Sequence, residues 1–384
     1  MRPVLDRRIG IMAGAVFLMT LGEELWKRFI PKYLESVGAP VLAIGGYGSM
    51  RDLLDGLAQY PGGWLADRFG RRAGLLLFIS VAVAGYVLMA AATSWGLVLA
   101  GLVLAMAWSS MASPALFSVI GDALPPEHRT LGFSVQSILR RVPIVVAPFL
   151  GGLLMVRHGV SGAVRLGLVV SVGLSFVTLA LVSRLQLQLL RPAKASNIAD
   201  VWGSLPGSLR RLLFSDILVR ACEALADVFL VLYALNIIGI TAPEFGVLVG
   251  IQMITAILGY LPGARLAQRT GPKPLVVATF LAFALFPIAV VSAHSFGALV
   301  PAFVIGGLRE IGEPARKALI VDSARPDLRA RTVGLYYLIR SLSIAPAATV
   351  GGLLWQAKPA LPFLAAGAFG ALGALVFAAR ADQA

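Results

Sequence analysis

The sequence predicts an all-α membrane protein, with twelve transmembrane helices in two pseudo-symmetric six-helix bundles. Three observations carry this. Of the 384 residues, 58% are hydrophobic and only 14% are charged, where a soluble domain carries roughly a quarter charged residues. Apolar runs of about 20 residues, each long enough to cross a bilayer core of about 30 Å, recur along the whole chain. The second half of the chain also repeats the first at a spacing of about 200 residues.

The apolar runs fall at about 9–30, 40–65, 73–93, 95–121, 131–156, 162–183, 212–237, 243–264, 274–293, 295–321, 332–355 and 359–379. The longest connection lies near the middle, which predicts an N-terminal bundle at 1–183, a cytoplasmic linker at 184–211 and a C-terminal bundle at 212–384. The linker opens with RLQLQLLR (184–191), whose alternating apolar and polar residues predict a segment lying on the membrane surface. The first run is too long for a signal peptide and has no small-residue cleavage site behind it, so it is expected to remain as a span. Cys222, the single cysteine, falls inside a span, and no disulfide framework is expected.

The net charge of +14 is a matter of topology rather than nucleic-acid binding. One set of loops holds Arg2, Arg7, Arg8, Arg68, Arg71, Arg72, Arg191, Lys194, Arg269, Lys273, Arg329 and Arg331. The other set holds only Lys32, Arg157, Arg165 and Lys358. Basic residues collect on the cytoplasmic face, so both termini are expected in the cytoplasm and the protein in a bacterial-type inner membrane. The lipid bilayer is the expected surroundings, and a monomer the expected state.

The repeat is detailed. PGGWLADRFGRR (61–72) matches PGARLAQRTGPK (262–273) at an offset of 201, and Glu23, Leu25, Phe29 and Tyr33 match Glu223, Leu225, Phe229 and Tyr233 at 200. Pro114 and Asp122 match Pro314 and Asp322, Arg140 matches Arg340, and GGLL at 151–154 matches GGLL at 351–354. Repeats of this kind mark a fold of two related bundles with a site between them.

GGWLADRFGRR resembles the loop 2–3 signature of the major facilitator superfamily, G-x-L-x-D-R-x-G-R-R, through Gly63, Leu65, Asp67, Arg68, Gly70, Arg71 and Arg72. The resemblance covers essentially the whole chain. It implies secondary transport by alternating access, with no cofactor and no enzymatic activity. It also implies a cytoplasmic gate in which Asp67 and Arg71 latch the halves together, with Arg68 beside them and Asp122 as the partner of Arg71. Read physically, an acid beside a cluster of bases can pair with helix ends at the membrane surface, and Asp67 can cap a helix N-terminus. Arg316 and Asp322 are expected in the same gate, together with Lys317. The alternative for the bases is topological anchoring alone.

Charge inside a span is costly, so it faces the bundle interior and finds a partner. Spans three, nine and twelve carry none, and the charges collect on spans one, two, five, seven, ten and eleven. They follow helical spacing: Glu23 with Lys27, Glu24 with Arg28, Arg51 with Asp55, then Asp216, Arg220, Glu223 and Asp227, then Arg309, Glu313 and Arg316. The expected proton or substrate site comprises Glu23, Glu24, Arg51, Asp55, Arg140, Arg220, Glu223, Asp227, Arg309, Glu313 and Arg340. Burial favours a protonated carboxyl and a neighbouring base the charged one; an acid held between the two can take up and release a proton. The bland reading of Glu23 is a static salt bridge to Lys27 or Arg51, and of Lys27 and Arg28 interface anchoring. Arg140 and Arg340 suit an anionic substrate, or equally neutralise surplus acids.

PIVVAPFLGG (143–152) resembles the superfamily's antiporter signature through Pro148, Gly151 and Gly152, with Ala147 and Pro143 in place of glycines. The resemblance implies export by proton exchange, while a GG pair also serves plain helix packing. Span four, LVLAMAWSSMASPALF (102–117), lacks the arginine of the usual proton-coupled drug exporter. No G-x-x-x-x-G-K-[ST] and no H-E-x-x-H occur, and His128, His158 and His294 are scattered, so neither an ATP-driven motor nor a metal or histidine-centred catalytic site is expected. The expected function is proton-coupled export of a small molecule. The alternatives are proton-coupled uptake of an organic anion and, from another class, a sensor or assembly partner that moves nothing.

Overall fold

The computed structural model describes residues 7–69, 71–108, 126–184, 202–203, 205–322 and 329–379. Among these residues all regular structure is helical, and seven stretches are long and apolar enough to cross a bilayer: Arg72–Ala91, Arg141–Ser183, Gly207–Ile238, Ala242–Ala267, Lys273–Ser292, Thr332–Ala357 and Leu361–Ala379. Large apolar side chains are turned outward on these helices, among them Val156, Phe176, Leu258, Leu285 and Leu375. Such surfaces need a hydrocarbon solvent, and the chain is an integral membrane protein.

The chain divides into two compact units, Met1–Ala39 with Leu54–Lys194, and Pro40–Leu53 with Ala195–Ala384. In the first unit α1 (Arg7–Glu24) ends in a 3-10 turn at Lys27–Phe29 and resumes as α2 (Ile30–Ser36). The cause of the break is local. Pro31 has no N–H for the carbonyl four residues back, and the chain tightens there, with Phe29 N–H donating to the Trp26 carbonyl at 2.9 Å. Then come α3 (Val41–Phe69) from Leu54 onward, α4 (Arg71–Ala91), α5 (Trp95–Met106) and α6 (Pro126–Ser183). α6 is two helices joined at Gly159, whose φ of 69° is open to glycine and costly for other residues. The two runs expected at 131–156 and 162–183 are therefore separate helices that meet at Gly159 and fold back on each other: Gly151 of the one and Gly167 of the other both close on Leu25.

In the second unit α7 (Gly207–Leu232) closes in a π-turn at Tyr233–Ile238. It is followed by α8 (Ala242–Thr270), α9 (Pro272–Ser292), α10 (Phe296–Leu308), α11 (Glu313–Asp322), α12 (Arg329–Ile344), α13 (Ala347–Ala357) and α14 (Leu361–Ala379). α7 is the centre of this unit, with 67% of its span buried against 39% for α14. α8 starts on a capping box, Thr241 and Glu244 satisfying each other's backbone N–H groups. α10 and α11 are one span broken at Arg309–Gly312, with Pro314 as the second residue of α11, where a missing N–H costs little.

The 200-residue repeat reappears as packing. A methyl group at Gly151 would run into the Leu25 carbonyl and the Phe29 ring; one at Gly351 would run into the Leu225 carbonyl and the Phe229 ring. The same glycine thus brings the same pair of helix segments together in each unit.

Candidate functional site

In the first unit the break after Glu24 places two buried carboxyls at the end of α1, Glu23 and Glu24, each 6% exposed. The Tyr86 hydroxyl of α4 donates to Glu23 Oε1 at 2.7 Å, and Lys27 Nζ donates to Oε2 at 3.4 Å. Arg28 Nε donates to Glu24 Oε2 at 3.2 Å. Trp26 fixes the break from the other side: its Nε1 donates to Ser171 Oγ at 2.9 Å, and its ring meets Tyr86 edge-on at 5.7 Å. Of the two static partners expected for Glu23, Lys27 is the one it has. Tyr86 was not expected, because a tyrosine in an apolar span carries no charge signal.

In the second unit the stripe on α7 is met by arginines from three other elements. Asp216, fully buried, takes Arg316 Nη1 at 2.5 Å and the Tyr336 hydroxyl at 3.1 Å, with Arg340 Nη1 3.7 Å away. Arg316 also donates to Glu313 at 2.7 Å. Arg220 donates to Glu313 and, at 2.7 Å, to Glu223. From the N-terminal part of α3, Arg51 pairs with Asp227 at 3.2 Å and with its neighbour Asp52 at 3.1 Å. The surplus of acid on span seven is thus neutralised within the unit.

Arg309 stands apart. It sits at the break after α10, 5% exposed, with its guanidinium 4.3 Å from the Phe286 ring centroid and 5.1 Å from that of Phe283. Its Nε donates to the Gly306 carbonyl at 3.1 Å, and its nearest carboxylate is Glu223 at 4.0 Å. Arg309, Glu223, Asp227, Cys222 and Phe286 line a small recess on α7. The break is held rigid by glycines. Methyl groups at Gly259 and Gly263 of α8 would strike Ile311, and one at Gly312 would strike Thr279 of α9.

The structure therefore gathers Arg51, Arg220, Glu223, Asp227, Arg309, Glu313 and Arg340 in the second unit, and Glu23 and Glu24 in the first. Asp55 is half-buried in the first-unit part of α3. Arg316, expected in the gate, is held by Asp216 and Glu313. Asp216, which meets Arg316, Tyr336 and Arg340 from other helices, was legible as part of the stripe but not as its anchor. Gly63, Asp67, Arg68 and Arg71 fall on the α3 and α4 helices, but their side chains lie outside the described residues, as do those of Arg140 and Asp322. Gly70 and Asp122 also lie outside them.

A profile described as the Major Facilitator Superfamily matches residues 12–216 and 212–383. An uncharacterized MFS-type transporter of Methanocaldococcus jannaschii is 23% identical over 94% of this chain and 91% of its own length. Among solved structures, a mutant of the nucleoside transporter NupG superposes with a TM-score of 0.81 at 13% identity, covering 97% of this chain and 99% of that one. A POT family transporter in complex with 5-aminolevulinic acid gives 0.82 at 13% identity, covering 98% and 96%. The human organic anion transporter MFSD10 (TETRAN) gives 0.70 at 17%, covering 97% and 99%. At these identities the solved structures speak for the fold alone.

Proposed function

The chain belongs to the major facilitator superfamily, and on that premise we propose that it exports a small polar molecule across the cytoplasmic membrane in exchange for protons. As a member it is a membrane transporter and not an enzyme. In this reading twelve spans form two six-helix bundles, 1–183 and 212–384, joined by a cytoplasmic linker. A monomer with both termini in the cytoplasm alternates access to a site near the midplane.

One observation carries the proton coupling. Glu23 is buried at a helix break, and the partner that holds it most closely is a hydroxyl, Tyr86 at 2.7 Å, rather than a buried base. Lys27, at 3.4 Å, is about one-third exposed. As a carboxylate Glu23 accepts from both. Protonated, it still accepts from Tyr86 but surrenders the charge that holds Lys27. One proton therefore changes what ties the break together. Export is supported by the segment resembling the antiporter signature: Gly151 closes on the Leu25 carbonyl, in that same break. Asp67 and Arg71 act, in this reading, as the cytoplasmic latch with Asp122.

The experiment is an untargeted comparison of small molecules in cells and medium, between strains with the intact protein and with Glu23→Gln at equal membrane levels. Export predicts a compound enriched in the medium only with the intact protein. A compound enriched inside the cells reverses the direction and selects proton-coupled uptake of an organic anion, a reading that Arg309 favours through its partly uncommitted guanidinium. Asp67→Asn is expected to reduce flux by disabling the latch; undiminished flux would remove Asp67 from the gate.

A further inference from the structure

Two arginines of the second unit's network stand off from their carboxylates, Arg340 at 3.7 Å from Asp216 and Arg309 at 4.0 Å from Glu223, and Arg309 is the one that lines the recess on α7. Arg220 and Arg316 spend their guanidinium groups on Glu223, Glu313 and Asp216. Arg309 spends only Nε, on the Gly306 carbonyl. Among the described residues neither Nη1 nor Nη2 of Arg309 makes a hydrogen bond, and its closest carboxylate oxygen, Glu223 Oε1, stands at 4.0 Å. That is beyond hydrogen-bond range. Glu223 gives its other oxygen, Oε2, to Arg220. The recess on α7 is therefore flanked by an arginine fork with donors to give and a carboxylate oxygen able to accept.

We infer that this recess receives the charged end of a small zwitterion, with Arg309 taking the carboxylate and Glu223 Oε1 the ammonium. The inference rests on the transporter reading and names its substrate class. The guanidinium fork is shaped for a planar oxyanion, and a donor buried at the centre of a span gains most from a charged acceptor. A simple anion would face Glu223 and Asp227 across the recess; a simple cation would face Arg309. A molecule carrying both charges on one carbon meets each group with its opposite. In such a molecule the ammonium nitrogen and carboxylate oxygens stand roughly 3 Å apart by standard bond lengths, which suits partners 4.0 Å apart. The rest of the wall is apolar, with Phe286, Leu230 and Phe363, so the uncharged part of the ligand is hydrophobic.

The test is thermal unfolding of the purified full-length protein in detergent with the common α-amino acids. For the best of them, analogues lacking either the amine or the carboxylate are added. The expected result is a saturable rise in the unfolding midpoint with an apolar or aromatic α-amino acid, at least about tenfold weaker for each one-charge analogue, one lost contact of about 1.4 kcal/mol. Arg309→Lys and Glu223→Gln each weaken it by a similar factor. Ala226→Trp, which fills the recess and leaves every charge in place, abolishes it while the ligand-free midpoint stays in the range of the other variants. No saturable shift with any of these amino acids overturns the inference, as does an equal response to a one-charge analogue or a response indifferent to Arg309→Lys and Ala226→Trp. A non-zwitterionic compound exported in the metabolite comparison, with no amino acid binding, would overturn this inference and leave the transporter intact.

Discussion

At the scale of single residues, what separates the two units is how their buried acids are satisfied. Asp216 is fully buried and carries bonds to Arg316 and Tyr336. Removing its charge strands Arg316, and breaking a buried pair from one side costs about 3–5 kcal/mol. Asp216→Asn is therefore expected to lower the unfolding midpoint sharply, and Asp216→Asn with Arg316→Gln to recover part of the loss; equal losses would show that the pair is not coupled. Glu23 is held less firmly. Tyr86→Phe removes one hydrogen bond to a charged group, about 1.5–3 kcal/mol, and is expected to impair coupled flux as Glu23→Gln does; full flux in Tyr86→Phe would detach the hydroxyl from the mechanism. The sequence made the stripes legible because the spacing of charges three and four apart survives folding. It did not show that Arg316 faces Asp216 across from another helix. Periodicity tells which residues share a face, not what stands opposite. Tyr86 was invisible for another reason: its contribution is a hydroxyl on a side chain that reads as apolar.

At the scale of elements, the breaks matter more than the helices. The helical runs α1–α2 and α10–α11 are each interrupted beside charged residues, at Leu25–Phe29 and at Arg309–Gly312. Interrupted helices are where transporters free backbone and side chains for ions and substrates. Each break carries a sequence mark, GEELWKR and REIGEP. In neither case does the mark alone tell an interrupted helix from a continuous one, because the packing that stabilises it comes from elsewhere in the chain. Two kinds of packing make distinct predictions. At Gly259 the obstruction is the Ile311 side chain, so Gly259→Ala is expected to destabilise by about 1–3 kcal/mol and Ile311→Ala to relieve it in the double variant. At Gly151 and Gly351 the obstruction is a backbone carbonyl, of Leu25 and Leu225. Alanine at either is expected to be destabilising, with no side-chain substitution that rescues it. Unfolding midpoints of the single and double variants decide both; rescue absent at Gly259 would mean that the break is not held by Ile311.

At the scale of the whole molecule, α3 is the element divided between the two units. Its residues Pro40–Leu53 cluster with the second unit and those from Leu54 onward with the first. The contacts of the Pro40–Leu53 part are small and close. A methyl group at Gly45 would meet the backbone of Ala348 and Thr349, and one at Gly48 would meet Val228 and Ala348. The polar link to α13 is Ser49 Oγ with Thr349 Oγ1 at 2.7 Å, with the Thr349 N–H donating to Ser49 Oγ at 3.0 Å, while Arg51 pairs with Asp227 of α7 at 3.2 Å. The neutral contact with α13, worth about 0.5–1.5 kcal/mol net per bond, is cheap to part. The ion-pair network of α7 with Arg316 is not. If the protein cycles, the α3–α13 contact is the one expected to open, and the pairs of Arg316 with Asp216 and Glu313 are expected to move as a block. Cysteines at both ends of the pair, Ser49→Cys with Thr349→Cys in a Cys222→Ser background, should then form a disulfide on oxidation. Flux should stop while the bond is intact and return on reduction. Crosslinked protein that transports at the full rate would mean that this contact persists through the cycle.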